Sequence, residues 1–224
     1  MSTRDKLGRA NRGSIGIYPW RAATVYDYRE WTTARRRRAL AERRAQGFPL
    51  HRPPHLQVGD IYRIVTAACF EHQALLAGAK RLGWFEARLL AHLQEQGVAT
   101  AAWVVLPNHY HVLALIPDIQ GLARAQGQLH GRTALELNRE DQSVGRRVWY
   151  RCADRVMRSE RHFYTTLNYI HHSPVRHGCV RRWGDWPYSS FQAYLAKKGR
   201  AGLEELWREH PLRGYGAKWD HPET

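Results

Sequence analysis

The stretch that most constrains this chain is Ala102 to Pro117, AWVVLPNHYHVLALIP. It reads as an apolar strand from Trp103 to Leu106, a Pro-Asn turn, and a second apolar strand from Val112 to Ile116. Side chains alternate between the two faces of a strand, so His109, His111, Leu113 and Leu115 share one face, and Tyr110 and Val112 the other. Two imidazoles at that spacing lie close enough to hold one divalent cation. An isolated His-x-His is more often a pair of core-edge histidines without a ligand, so the rest of the chain has to decide.

The flanking pattern supplies a sheet for this hairpin. Asp60 to Phe70 has the β-branched and aromatic bias of a strand. Gly78 to Gly97 carries Leu82, Phe85, Leu89, Leu90 and Leu93 at helical spacing and ends on glycine. Leu122 to Asn138 reads as a second helix interrupted by Gly127 and Gly131. Gly145 to Met157 alternates as a fourth strand, with Val148, Tyr150 and Cys152 on one face. Strand, helix, strand, strand, helix, strand is the order of an α+β, ferredoxin-like split β-α-β sheet with both helices on one side. A third helix, Ser159 to His172, is expected to be capped by Ser159 and stopped by Pro174. Beyond it, an aromatic segment is expected to wrap back on the sheet, followed by a short helix over residues 202–210.

The 224 residues divide accordingly into a basic arm with a short Arg-rich helix (1–57), a compact domain (58–198) and a C-terminal tail (199–224). The arm interleaves Tyr18, Trp20, Tyr26, Tyr28 and Trp31 with arginine. From Thr33 to Gln46 it predicts a helix bearing Arg35, Arg36, Arg37 and Arg38, and Pro49, Pro53 and Pro54 then form a stiff connector. Thirty-five Lys and Arg against 20 Asp and Glu, a formal charge of +15, point to a polyanionic partner, nucleic acid first. Most of those cations are arginines, whose planar fork pairs with two phosphate oxygens at once. Three scattered cysteines argue against a disulfide framework and a zinc finger. The absence of a long apolar run or signal-peptide pattern predicts a cytoplasmic protein that meets DNA at the nucleoid rather than a membrane.

The third helix places Tyr169, His172 and Ser173 on one face, at spacings of three and four. A tyrosine on an amphipathic helix is ordinarily a core residue. Nevertheless PNHYHVLALIP, followed by NYIHHSPVRHG and then DWPYSSF, resembles the REP-associated tyrosine transposases, within the single-tyrosine HUH transposase superfamily. The resemblance covers residues 60 to 195 and rests on three motifs in order. It implies a ferredoxin-like domain in which His109 and His111 bind Mg²⁺ or Mn²⁺. It also implies that Tyr169 cleaves single-stranded hairpin DNA, takes the 5′ phosphate and leaves a 3′ hydroxyl for later strand transfer, in a monomer or homodimer. The family usually carries Asn one turn past the tyrosine as a further metal ligand. This chain has Ser173, so Ser173, or His172 in its stead, is the candidate.

Arg158, Arg176 and Arg181, with Arg161, His177 and Arg182 nearby, form a candidate phosphate rim around the tyrosine helix. Asn108 either orients the histidines or serves the turn, the turn being the simpler reading. The rival function is a non-catalytic hairpin-binding protein, motivated by Ser173. A more distant rival is an RNA-binding ferredoxin-like module, which requires aromatic residues on an open sheet face.

Overall fold

The computed structural model describes residues 61–116 and 118–216, together with 32–34 and 38. The interleaved aromatics, the proline connector and Arg35, Arg36 and Arg37 lie outside the described residues. Of the Arg-rich helix, Thr33, Ala34 and Arg38 are helical and exposed.

The sheet is built from β1 (Tyr62–Cys69), β2 (Ala99–Val105), β3 (His109–Leu115) and β4 (Trp149–Val156), in the order β2-β3-β1-β4, with every neighbouring pair antiparallel. Helix α1 (Ala79–Glu95) connects β1 to β2, and α2 (Ile119–Glu140) connects β3 to β4. This is the expected ferredoxin-like α+β topology. Gly78, at φ +95, opens α1, and Gly97, at φ +66, reverses the chain behind it. The β2–β3 hairpin closes with Leu106 N–H donating to the His109 carbonyl, 2.8 Å, across the two residues Pro107 and Asn108.

Alternation along β3 separates two cores. Tyr110 faces α1 and α2: Phe85 lies 5.3 Å from it and Trp149 5.9 Å, ring centre to ring centre. His130 of α2 stacks on Trp149, and its ring faces the Tyr110 hydroxyl at 3.0 Å. Burial there pulls the His130 pKa down to about 4, because desolvation penalises the imidazolium. Phe85 and Leu89 of α1 are fully buried, and each such side chain contributes roughly 1.5–3 kcal/mol of transfer free energy.

The opposite face, carrying His109 and His111, is covered by α3 (Glu160–Arg176), which lies over β2 and β3. An open RNA-binding sheet face is therefore not present over those strands. Ser159 caps α3 as expected, its Oγ accepting from His162 N–H at 3.1 Å. The helix does not stop before Pro174 but runs through it to Arg176. A proline in the last turn removes a single N–H, and His177 N–H closes that turn on the Ser173 carbonyl at 2.9 Å.

The C-terminal region also differs from expectation. Helix α4 spans Phe191–Glu209 with a kink at Gly199, φ 68, so the short helix expected from residue 202 is its second half. Leu203, Leu206 and Trp207 are buried in the common core, so α4 runs across residue 198, where the sequence reading begins a tail. The aromatic segment before α4 docks on the outer edge of β2. Val105 N–H donates to the Tyr188 carbonyl and Trp186 Nε1–H to the Val105 carbonyl, both at 2.9 Å. That edge is thereby shielded from further strand pairing. His171 of α3 meets Ser190 Oγ at 2.9 Å; complete burial pulls its pKa down to about 3 and keeps the ring neutral. The three cysteines are free thiols.

Candidate active site

Both histidines of the β3 motif are held from behind. His109 Nδ1 meets Asn108 Oδ1 at 2.7 Å, and the same amide donates through Nδ2 to the His72 carbonyl at 3.1 Å. That second bond fixes Asn108 Oδ1 as an acceptor, so His109 carries its proton on Nδ1 and presents the Nε2 lone pair. His111 Nδ1 meets Thr66 Oγ1 on the neighbouring strand β1 at 2.8 Å. Partners of this kind set the tautomer and ring orientation of metal-binding histidines. Asn108 thus serves the turn and orients His109 together. The two imidazoles stand edge to face with centres 4.9 Å apart.

Tyr169 of α3 comes to rest against this pair. Its hydroxyl lies 3.4 Å from His111 Nε2, with ring centres 5.2 Å apart. Helix α3 thereby brings a phenol to the histidine pair from 58 residues further along the chain.

The other candidates separate. Ser173 is buried on the same helix, and its hydroxyl donates to the Tyr169 carbonyl at 2.8 Å. His172 stacks on Trp183, and its Nδ1 faces the Asn168 carbonyl at 3.1 Å, so it belongs to the α4 side of the helix. His177, grouped by sequence with the cationic rim, instead stands edge to face against His109 at 4.7 Å. Arg158 and Arg181 are exposed. Arg176 lies 5.6 Å from the Tyr169 ring centre and donates to the carbonyls of Tyr215 and Gly216 at 3.2 and 2.7 Å.

Those two carbonyls belong to a strap, residues 212–216, that sequence reading placed in a tail. Tyr215 crosses the Tyr169 ring edge to face at 5.8 Å. Gly216, at φ +73, lies so close that a Cβ there would collide with the phenol ring; glycine alone fits this position. A bonded circuit holds Tyr215. Arg158 N–H donates to His162 Nδ1 at 3.2 Å, so His162 Nε2–H donates to Tyr215 Oη at 2.8 Å. Tyr215 donates in turn to Thr166 Oγ1 at 2.5 Å, and Thr166 donates to the His162 carbonyl at 2.7 Å. Burial, followed by the charges of Arg158 and Arg155, lowers the His162 pKa and favours this neutral form. Under the strap Tyr169 is 0% exposed. Thr66 and the strap had no readable signal beyond a tyrosine flanked by glycines, since both act only through tertiary contact.

Two curated proteins and one solved structure are similar to this chain. No family model matches the chain. The REP-associated tyrosine transposase of Escherichia coli K12 is 28% identical over 98 residues, 43% of this chain and 56% of that protein. A Haemophilus influenzae protein named for the same transposases is 30% identical over 106 residues, 41% of this chain and 58% of the relative. Over these segments the chain is similar to REP-associated tyrosine transposases. It spans less than two thirds of the length of either transposase. A solved structure of a REP-associated tyrosine transposase bound to a REP hairpin aligns with 62% of this chain and 80% of its own, at 20% identity and a TM-score of 0.49.

The residues fit a metal in part. His109 and His111 offer two oriented imidazoles, yet among the described residues no three His, Cys, Asp or Glu side chains are grouped to hold an ion. Two imidazoles leave the rest of an ion's shell to oxygen donors such as phosphate and water, the donor type that Mg²⁺ and Mn²⁺ take, while the Ser173 hydroxyl is engaged by the Tyr169 carbonyl.

Proposed function

We propose that this chain is a metal-dependent, single-tyrosine DNA endonuclease and strand transferase acting on single-stranded hairpin DNA of the REP type. The observation that carries the reading is the Tyr169 hydroxyl 3.4 Å from His111 Nε2, beside the oriented His109. A phenol with an ordinary pKa near 10 is a weak nucleophile at neutral pH. His109 and His111 would hold a divalent ion, which would supply charge neutralisation at the phosphate and alignment for attack.

The chain's own part is positional and nucleophilic. Tyr169 Oη attacks phosphorus in line and gives its proton to solvent. The new O–P bond forms as the P–O3′ bond breaks, and the leaving 3′ oxygen takes up a proton. The product is a 5′-phosphotyrosine and a free 3′ hydroxyl, and attack by a 3′ hydroxyl on that linkage reverses the step and joins strands. Arg158, Arg176 and Arg181 supply phosphate contacts, and Arg35 to Arg38 extend them along the stem, which positions the DNA without reading its sequence.

In this account the strap is the resting state. Arg176 holds two strap carbonyls where the reading gives it phosphate oxygens, so DNA entry and strap release compete for one guanidinium. The burial of Tyr169 and the engaged hydroxyl of Ser173 favour one second reading, a hairpin-binding protein without cleavage.

The two readings separate on a denaturing gel after incubation with labelled single-stranded hairpin DNA and Mn²⁺. A covalent adduct that disappears in Tyr169→Phe supports the nuclease. DNA retention without any adduct supports the binder.

A further inference from the structure

The sheet carries an aromatic–cation cluster beside the histidines that neither the site nor the core uses. Tyr150 is a large aromatic residue 51% exposed to solvent. Its ring lies 6.2 Å from that of Phe70, tilted by 36°. The Arg147 guanidinium covers both, 4.5 Å from the Phe70 ring and 5.3 Å from Tyr150. Arg147 is itself anchored, its Nε–H donating to the Trp149 carbonyl at 3.3 Å.

Strand register fixes where this cluster sits. Ala67 pairs with Cys152 and Cys69 with Trp149, so an irregularity in β4 sets residues 150 and 151 opposite Ala68. Ala68 pairs on its other side with His109. Trp149 points into the α1–α2 core against Phe85, so alternation turns Tyr150 to the face that carries His109 and His111. Tyr150, Ala68 and His109 therefore form a row across three strands, and two strand spacings put Tyr150 roughly 10 Å from His109 at the backbone. The same corner is tied to the histidine turn, with Cys69 N–H donating to the Asn108 carbonyl at 2.7 Å. Helix α3 lies over β2 and β3, and residues 152–155 of β4 are exposed among the described residues.

We infer that Phe70, Arg147 and Tyr150 form a stacking clamp for an unpaired nucleobase of a DNA strand, next to the phosphate held at the histidines. The inference rests on the nuclease reading for its position, and the ligand class follows from the chemistry. An exposed aromatic ring backed by a half-buried one accepts any base by stacking, while the guanidinium favours a polyanion. A duplex keeps its bases stacked on one another and offers nothing to such a clamp. The cluster thus selects single-stranded DNA beside the cleavage point and holds the reacting phosphate in register with Tyr169.

The test uses the full chain and a short oligothymidylate carrying one 2-aminopurine, with a duplex of equal length as control. Tyr150→Ala is expected to weaken single-strand binding about tenfold and to abolish the change in 2-aminopurine fluorescence. Duplex binding and thermal melting are expected to stay unchanged, and Tyr150→Trp to retain single-strand binding. Unchanged single-strand affinity in Tyr150→Ala, or an equal loss for single strand and duplex, overturns the clamp. Neither readout involves cleavage, so a protein that stacks bases but forms no adduct counts against the nuclease reading alone. One that cleaves with Tyr150→Ala indifferent counts against the clamp alone.

Discussion

Replacing Tyr215 with Phe removes one hydroxyl and tests whether the strap governs access to Tyr169. In the resting structure that hydroxyl accepts from His162 and donates to Thr166. Each such bond contributes about 0.5–1.5 kcal/mol net, so the pair holds the strap by about 1–3 kcal/mol. Thr166 keeps the His162 carbonyl as its acceptor, and the phenyl ring keeps its packing on Tyr169, so the loss stays local. At 1.4 kcal/mol per tenfold, the open population rises roughly 5- to 150-fold. Hydrogen exchange at residues 212–216 reads this directly and is expected to accelerate by that factor, with global melting little changed. Adduct formation on hairpin DNA in Mn²⁺ is expected to accelerate by a similar factor while the strap remains mostly closed. Unchanged exchange in Tyr215→Phe would refute the bonded circuit. Faster exchange with no gain in adduct rate would refute the strap as the barrier.

Acid is expected to act on the same circuit. The His162 pKa is lowered in the folded state, so its contribution is full above the unfolded value near 6.5 and is lost as pH falls toward the folded value. Strap exchange, taken relative to the intrinsic amide rate at each pH, should quicken as pH falls below the unfolded imidazole value, and in His162→Gln that dependence should vanish. Asn108→Ala removes the acceptor that orients His109; losing such a partner behind a ligating imidazole weakens metal binding about 10- to 100-fold, measurable by calorimetric titration with Mn²⁺. Asp141 accepts from Arg81 and Arg146, which hold its carboxyl below the usual range. Asp141→Asn should lower stability by about 1–3 kcal/mol in urea at neutral pH. That difference should shrink as pH falls below the ordinary carboxylate range, where the wild-type group protonates. Phe85→Ala, in the cluster with Tyr110 and Trp149, should lose about 3–5 kcal/mol in the same assay.

The order of strands and helices was legible because each element carries its own period and its own punctuation. Gly78 and Gly97 bracket α1, Ser159 caps α3, and the Pro107–Asn108 turn sets the hairpin register. The meeting of Tyr169 with His111 was legible through the three motifs and their order, since helical spacing alone makes Tyr169 a core residue. What stayed hidden depended on long-range packing. Gly199 breaks the apolar period of α4 at a kink that the tertiary core tolerates, so its first half read as a wrapping loop. Pro174 looked like a terminator because the sequence does not reveal that the helix has only one more turn to run. Thr66 is one of several small residues in β1, and only its pairing with His111 gives it a role. His177 read as a rim cation because nothing local shows that the end of α3 returns to His109.

Mass spectrometry of the protein–DNA adduct, after nuclease digestion of the DNA and proteolysis of the chain, tests the account most directly. A phosphonucleotide joined through its 5′ phosphate to the peptide containing Tyr169, formed only with divalent metal present, is the predicted result. An adduct on any other residue, or none from a protein that binds the hairpin and Mn²⁺, would contradict it.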